Sequence, residues 1–427
     1  MRRFLVDVTP LRRSRDLRAL VASQAVSELG SQMTAVAVFY QVYSLTHSSL
    51  DVGLVSLAML APMLAGALYG GAVADHADRR RLLMVVSIGS AVTSAGLSVN
   101  ASGNPALWPL FLCPAVGAGL GTFASSARGA VVPNLVERSE VPAANAMFQA
   151  IFQLGLVAGP ALAGLLIAAT GTRAVFVIDA VSFGVAAVGA WAIRPQPPGD
   201  GGGRPPGLRS IVEGIRFLRG RQAIQGALLI DVNATVLGLP RALFPAMAAG
   251  TFAAGAATLG LLYAAPGAGA LCGALTSGWV GRISQQGRAV TIAVIMWGLA
   301  IAGFGWTRWL PAALVLLAIA GYADVVSAVL RSTIVQLATP DSLRGRMTGL
   351  HIALVTGAPR LGDLEAGAMA AGLGDTVSVV SGGLGCVAGA LVIAQLLPGF
   401  RRQRSTSVTT AIPVEAAADD AVGQWAR

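Results

Sequence analysis

Long apolar runs alternate with short polar breaks along almost the whole chain. Twelve runs stand out, over residues 17–44, 50–74, 82–101, 106–128, 143–169, 174–194, 223–248, 256–281, 288–306, 310–331, 346–371 and 376–398. A helix needs roughly 20 apolar residues to cross the hydrocarbon of a bilayer. Lipid offers no partner to a free backbone N–H or C=O, so each run is predicted to be helical. The pattern predicts an all-α integral membrane protein with twelve transmembrane helices.

Two stretches break the rhythm. Residues 195–222 open with the Pro/Gly-rich "PQPPGDGGGRPPG" and continue as "LRSIVEGIRFLRGR". Leu208, Ile211, Ile215 and Leu218 share one face of that second piece, which predicts a short amphipathic helix on the cytoplasmic membrane surface. Residues 399–427 begin basic, turn acidic and apolar-poor, and read as a disordered cytoplasmic tail. The first apolar run is too long for a signal peptide and shows no clear cleavage site, so it is expected to be retained.

Composition sharpens the picture. The 427 residues are 55% hydrophobic and 12% charged, against about 25% charged in soluble domains. All 30 basic residues are arginine, which excludes a Walker A lysine and a lysine Schiff base. Cys113, Cys272 and Cys386 lie inside apolar runs, and His47, His76 and His351 lack ligand spacing. No metalloprotease or nucleophile motif occurs, so no enzyme, catalytic residue, metal or cofactor is expected. The net charge of +10 sits between apolar runs rather than on a soluble face. It suits a membrane surface rather than nucleic acid. Arginines crowd the N-terminus, the loops after helices 2, 4, 6, 8 and 10, and the tail; Arg173 and Arg308 are exceptions. Both termini are therefore expected in the cytoplasm of a bacterium, with the protein a monomer in the plasma membrane.

The chain also repeats itself. "GGAVADHADRRR" at residue 70 resembles "CGALTSGWVGRI" at residue 272, and "SARGAVVPNLVERSEV" resembles "VLRSTIVQLATPDSL". Arg128 and Arg331 are 203 residues apart, as are Glu28 and Asp231. Several matches at one offset imply a duplication: a half over residues 1–194, the linker, and a half over residues 223–398. Parallel halves of this kind hold a substrate between them near mid-bilayer.

"G-x-x-x-D-x-x-D-R-R", from Gly71 through Asp75, Asp78 and Arg79 to Arg80, lies between helices 2 and 3. In position, spacing and residue type it resembles the signature loop of the major facilitator superfamily. Helix 5 carries "GLVAGPALAG", where Gly155, Gly159, Pro160 and Gly164 are similar to the motif of that superfamily's antiporters. "LTHSSLDVGL" and "VIDAVSF" look like the branch of enterobactin exporters and transmembrane secretion effectors. Helix 4 departs from many drug antiporters: "FLCPAVGAG" has Cys113 and Pro114 where an arginine is common. The resemblance implies that the loop latches the halves together, with Asp75 against the start of helix 11 near Leu343 to Met347. A helix N-terminus stabilises such an acid by roughly 0.3–1 kcal/mol. In the second half Ser277 replaces the acid, so the latch is one-sided. The plainer reading of the same arginines is a positive-inside anchor.

Ionisable groups inside the spans are Glu28, Asp179, Asp231, Asp324, Arg360, Asp363 and Glu365. An acid at such depth costs about 2.5–3.5 kcal/mol on insertion scales and marks a functional candidate. Glu28 and Asp231 occupy equivalent places in helices 1 and 7, which suggests a proton or substrate role beside the alternative of a structural hydrogen bond. Arg360 and Asp363 are spaced to pair on one face of helix 11, with Glu365 pointing elsewhere. Asp324 and Arg331 can simply solvate one face of helix 10, and the helix 5 glycines can serve close packing alone. The sequence thus favours a proton-driven exporter of a small amphipathic, siderophore-like or drug-like compound. Lysophospholipid or lipid transport, or a membrane protein that transports nothing, are the alternatives.

Overall fold

The computed structural model describes residues 9–197, 216–340 and 344–403, with side chains at 344–346, 348, 349 and 352 outside that description. The described residues are helical, and twelve elements follow the twelve apolar runs. In the first half they are α1 (Arg15–Thr46), α2 (Ser49–His76), α3 (Arg79–Asn100), α4 (Trp108–Leu135), α5 (Val141–Thr170) and α6 (Thr172–Ala192). In the second half they are α7 (Gln222–Leu237), α8 (Ala256–Thr276), α9 (Gln286–Trp306), α10 (Leu310–Ala338), α11 (Arg344–Leu373) and α12 (Asp375–Leu396). Among the described residues ten spans are long and apolar enough to cross a membrane by length and composition; α1, with Glu28, and α11, with Arg360, Asp363 and Glu365, are the other two.

Four elements differ from the sequence expectation. Helix 7, expected unbroken over 223–248, stops at Leu237 and resumes through a 3-10 turn, Arg241–Leu243, into Phe244–Ala249. Pro240 has no N–H to continue the ladder. The carbonyls freed there find partners: Trp297 Nε1 donates to Gly238 O (2.8 Å) and Tyr263 Oη to Arg241 O (2.7 Å). Helix 8 ends at Thr276 in a 3-10 turn, Ser277–Arg282. Helices 4 and 10 run past Arg128 and Arg331 to Leu135 and Ala338, which moves both arginines from the expected membrane edge into the helices. Of the amphipathic segment, Leu208, Ile211 and Ile215 lie outside the described residues. Leu218 and Phe217 pack on Ile224, Leu228, Met347 and Leu350. Most of the tail also lies outside them.

The halves meet along two seams, α2 with α11 and α5 with α8. Both seams are built on glycine, which lets backbones touch where lipid supplies no hydrophobic drive. A Cβ at Gly53 would meet the Asp363 carbonyl at 2.5 Å, and one at Gly367 the Ser49 carbonyl at 2.6 Å. A Cβ at Gly164 would lie 2.8 Å from the Gly260 Cα. These contacts sit toward the arginine-poor ends of the helices. There too Ser49 Oγ donates to Asp375 Oδ1 (2.9 Å), and Phe39 of α1 faces Tyr263 of α8 at 6.3 Å between centroids. Near the arginine-rich ends of α2 and α4 a Cβ on Gly71 or Gly129 would find nothing within 4 Å. The bundle is closed on its arginine-poor face.

Candidate functional site

Polar side chains inside the bundle fall into four groups. The first lies on α1. Gln32 Nε2 donates to Glu28 Oε1 (2.8 Å), one helical turn away. α5 presses against this turn through its glycines: a Cβ at Gly155 would come within 3.1 Å of Glu28 Cγ, and one at Gly159 would overlap Gln32 Cβ. The Pro160 carbonyl and Gly164 face Gly260 of the other half. The helix 5 motif therefore joins the acid-bearing turn of α1 to the seam between halves.

The second group is in the other half. Asp231 of α7 and Arg331 of α10 form an ion pair, Oδ1 to Nη2 at 2.8 Å, with both side chains 9% exposed. Asp324 Oδ1 is 3.8 Å from the same nitrogen, and Arg331 Nη1 donates to Ser327 Oγ (2.9 Å). Asp324 and Arg331 thus do more than solvate one helix face; they complete a charge cluster with Asp231. Such a cluster offsets the desolvation of each ion only while its members stay together.

The third group centres on Asp363 of α11, 2% exposed. Ser56 Oγ of α2 donates to its Oδ2 across the seam at 2.6 Å. The second oxygen, Oδ1, is buried without a well-formed hydrogen bond, although the Ala242 N–H and the charges of Arg360 and Arg241 act on the same carboxyl. The expected ion pair with Arg360 does not form: among the described residues Arg360 has no ion-pair partner, and its charge acts on Asp363 only through space. Ser56 holds the carboxyl toward α2 instead, because Gly53 brings the two helices into backbone contact. Glu365 is half-buried and makes no hydrogen bond among the described residues.

The fourth group is the loop after α2. Asp78 caps α3, its Oδ1 accepting from the N–H of Arg80 (2.9 Å) and Arg81 (3.4 Å). Arg79 Nε donates to Ala74 O (3.2 Å), and Arg80 reaches the Trp191 carbonyl at the end of α6. The loop is thereby fixed to its own half. Asp75 makes no hydrogen bond or ion pair among the described residues, and part of its expected partner, Leu343 to Met347, lies outside them. Gly71 borders open space. Asp179 behaves differently from the other acids. Thr34 and Ser94 both donate to Oδ2 (2.8 and 2.7 Å), which ties α1, α3 and α6 into one structural knot.

From the sequence alone Arg128 stands only as a marker of the repeat, and Arg331 is read only with Asp324 on its own helix. The signal was present: both arginines repeat at the offset that relates Glu28 to Asp231, so each half carries an acid and an arginine at matched places. No group of three or more potential metal ligands occurs among the described residues.

Two six-helix halves, glycine seams and a polar interior define a secondary transporter of the major facilitator fold. The comparisons agree. The chain belongs to the transmembrane secretion effector family, whose profile matches residues 6–423. It is 29% identical over 416 residues to the enterobactin exporter EntS of Shigella boydii, covering 94% of this chain and 97% of that protein. The same identity and coverage hold for EntS of Escherichia coli O139:H28. Among solved structures it is similar to a bacterial homologue of the human lysosomal transporter Spinster, inward-facing and occupied. That match has a TM-score of 0.71 and 15% identity, over 92% of this chain and 99% of that one. A D-xylose–proton symporter aligns with a TM-score of 0.69 and 14% identity, over 91% and 99%. The protein is a multi-pass membrane transporter for a small molecule.

Proposed function

We propose that this protein exports a small, amphipathic, siderophore-like compound by alternating access, driven by protons, from the cytoplasmic side of a bacterial plasma membrane. The likeness to enterobactin exporters along nearly the full length of both chains carries the cargo class. The buried Asp363, with one oxygen bound by Ser56 and no ion-pair partner in contact, carries the coupling. As an anion it would be a buried charge with no ion-pair partner in contact, which is costly. As a neutral acid it fits. Protonation from the outside would therefore let α2 and α11 close the arginine-poor face, which is the state described here. Release of that proton toward the cytoplasmic cleft would favour reopening outward.

Glu28 and Asp231 are the other proposed proton or substrate groups. Asp231 is engaged by Arg331 in this state, so it takes part only if that pair opens. Arg360 and Glu365 stand close enough in sequence to tune Asp363 or meet cargo. The Asp75 loop is the proposed counterpart of the seam at Asp363. When the cleft closes on the arginine-rich face, Asp75 would meet the start of α11. Both termini lie in the cytoplasm by the arginine distribution, and the working unit is one chain.

The test uses purified protein in liposomes and enterobactin as probe, with substrate-induced proton movement as the readout. Wild type should release protons as enterobactin moves against them, and Asp363→Asn should uncouple the two. Enterobactin movement without proton movement would remove the coupling, and no movement at all would remove the export reading.

A further inference from the structure

The two charged clusters are copies of one arrangement, and the first copy lacks two of its parts. The offset of 203 that relates Glu28 to Asp231 and Arg128 to Arg331 also relates Gly121 to Asp324 and Ala124 to Ser327. In the second half, Asp231, Asp324 and Ser327 all serve Arg331. In the first half glycine and alanine stand where the second acid and the hydroxyl would be. Arg128 consequently makes no hydrogen bond or ion pair among the described residues. Glu28 acts on it only through space, its Oε1 being taken by Gln32. The guanidinium of Arg128 lies over the ring of Phe148, 5.6 Å from its centroid. Beside it, two helical turns away on α4, a Cβ at Gly121 would touch nothing within 4 Å. The place of the missing carboxylate is open space at the middle of α4.

We infer that Arg128, with Phe148 and the gap at Gly121, binds an anionic group on an aromatic or apolar cargo, which supplies the carboxylate the first half lacks. The guanidinium presents a fixed fork to an oxyanion, and the ring offers an apolar wall. The inference deepens the transport reading and rests on it for the identity of the ligand as cargo. It predicts that the negative charge of the cargo, rather than its bulk, is recognised in the first half.

The probe is 1-naphthoate, with the uncharged 1-naphthamide as its control, each measured for binding to the full chain in nanodiscs. Wild type should hold naphthoate at least about tenfold more tightly than the amide, the scale of a charge-assisted contact. Gly121→Asp restores the missing internal acid and should abolish that preference, while Gly121→Asn, equal in size but uncharged, should keep it. Arg128→Gln should also lose it; if that variant fails to fold, the Gly121 pair decides. Equal binding of acid and amide by wild type, no naphthoate binding, or an unchanged preference in Gly121→Asp would each overturn the inference. Enterobactin movement in liposomes is scored separately. Binding governed by Gly121 without any transport would sink the export reading and leave the anion site standing.

Discussion

The first half and the second half began as copies, and they now treat the same charge in opposite ways. In the second, Arg331 is enclosed by Asp231, Asp324 and Ser327. In the first, Arg128 faces Glu28 without touching it, a phenyl ring and a gap at Gly121. A closed cluster is a structural fixture, because its ions answer to one another. An incomplete one is available to a ligand. The loops after α2 and α8 diverge in the opposite direction: the first half has Asp75, and the second has Ser277. Duplication supplied two equivalent scaffolds, and the acids now differ between them at two matched places, Gly121/Asp324 and Asp75/Ser277.

The contrast is broken most directly at Arg331. Arg331→Gln strands the buried Asp231 beside the half-exposed Asp324 and should cost about 3–5 kcal/mol, seen as a large fall in melting temperature in detergent. Adding Asp231→Asn should recover most of the loss. Arg128→Gln strands no contact acid and should melt close to wild type; equal losses at the two arginines would erase the distinction.

The next effect belongs to the seams. Gly164→Val sets a side chain against the backbone at Gly260 and Ala256. Overpacking of this kind costs about 1–3 kcal/mol. It should also hold the arginine-poor face open, which cysteine labelling across the α5–α8 seam would report. Labelling like that of wild type would show that the seam is not the closing surface.

Asp75→Asn is gentler still on stability, since an acid at a helix N-terminus contributes roughly 0.3–1 kcal/mol. Melting should stay near wild type while transport falls several-fold. Transport at the wild-type rate would reduce the loop to an anchor. The smallest shift is expected for Arg360→Gln. Arg360 is not ion-paired with Asp363, so neutralising it should leave the melting temperature unchanged or slightly raised. A drop like that of Arg331→Gln would restore the pair that the sequence suggested.

Much of this was legible in the sequence, for identifiable reasons. Bilayer thickness forces long apolar runs, so twelve spans were visible with ends displaced by a few residues. The duplication showed through fixed spacing, and Asp78 to Arg80 announced a loop by charge density. What stayed hidden depends on contacts between distant elements. Arg331 was read with Asp324 on its own helix, although its closest partner, Asp231, lies in α7. Arg360 and Asp363 have the right spacing to pair, yet Ser56, 307 residues from Asp363, takes the carboxyl instead. The interruption of helix 7 had its signal in Gly238 and Pro240, but an apolar run on both sides masked it. Arg128 was hidden by a boundary: ending helix 4 at that residue placed its charge at the membrane surface, whereas the helix continues to Leu135.

Coupling between proton and cargo at Asp363 is the central claim, and one measurement bears on it directly. Liposomes containing the purified protein are loaded at acidic pH and diluted into neutral buffer with enterobactin outside. Protein whose cytoplasmic face points outward should then exchange lumenal protons for enterobactin and accumulate it. Accumulation should disappear when the gradient is collapsed, and Asp363→Asn should show none of the gradient dependence while remaining folded. Equal accumulation with and without the gradient in wild type, or full gradient dependence in Asp363→Asn, would contradict the account.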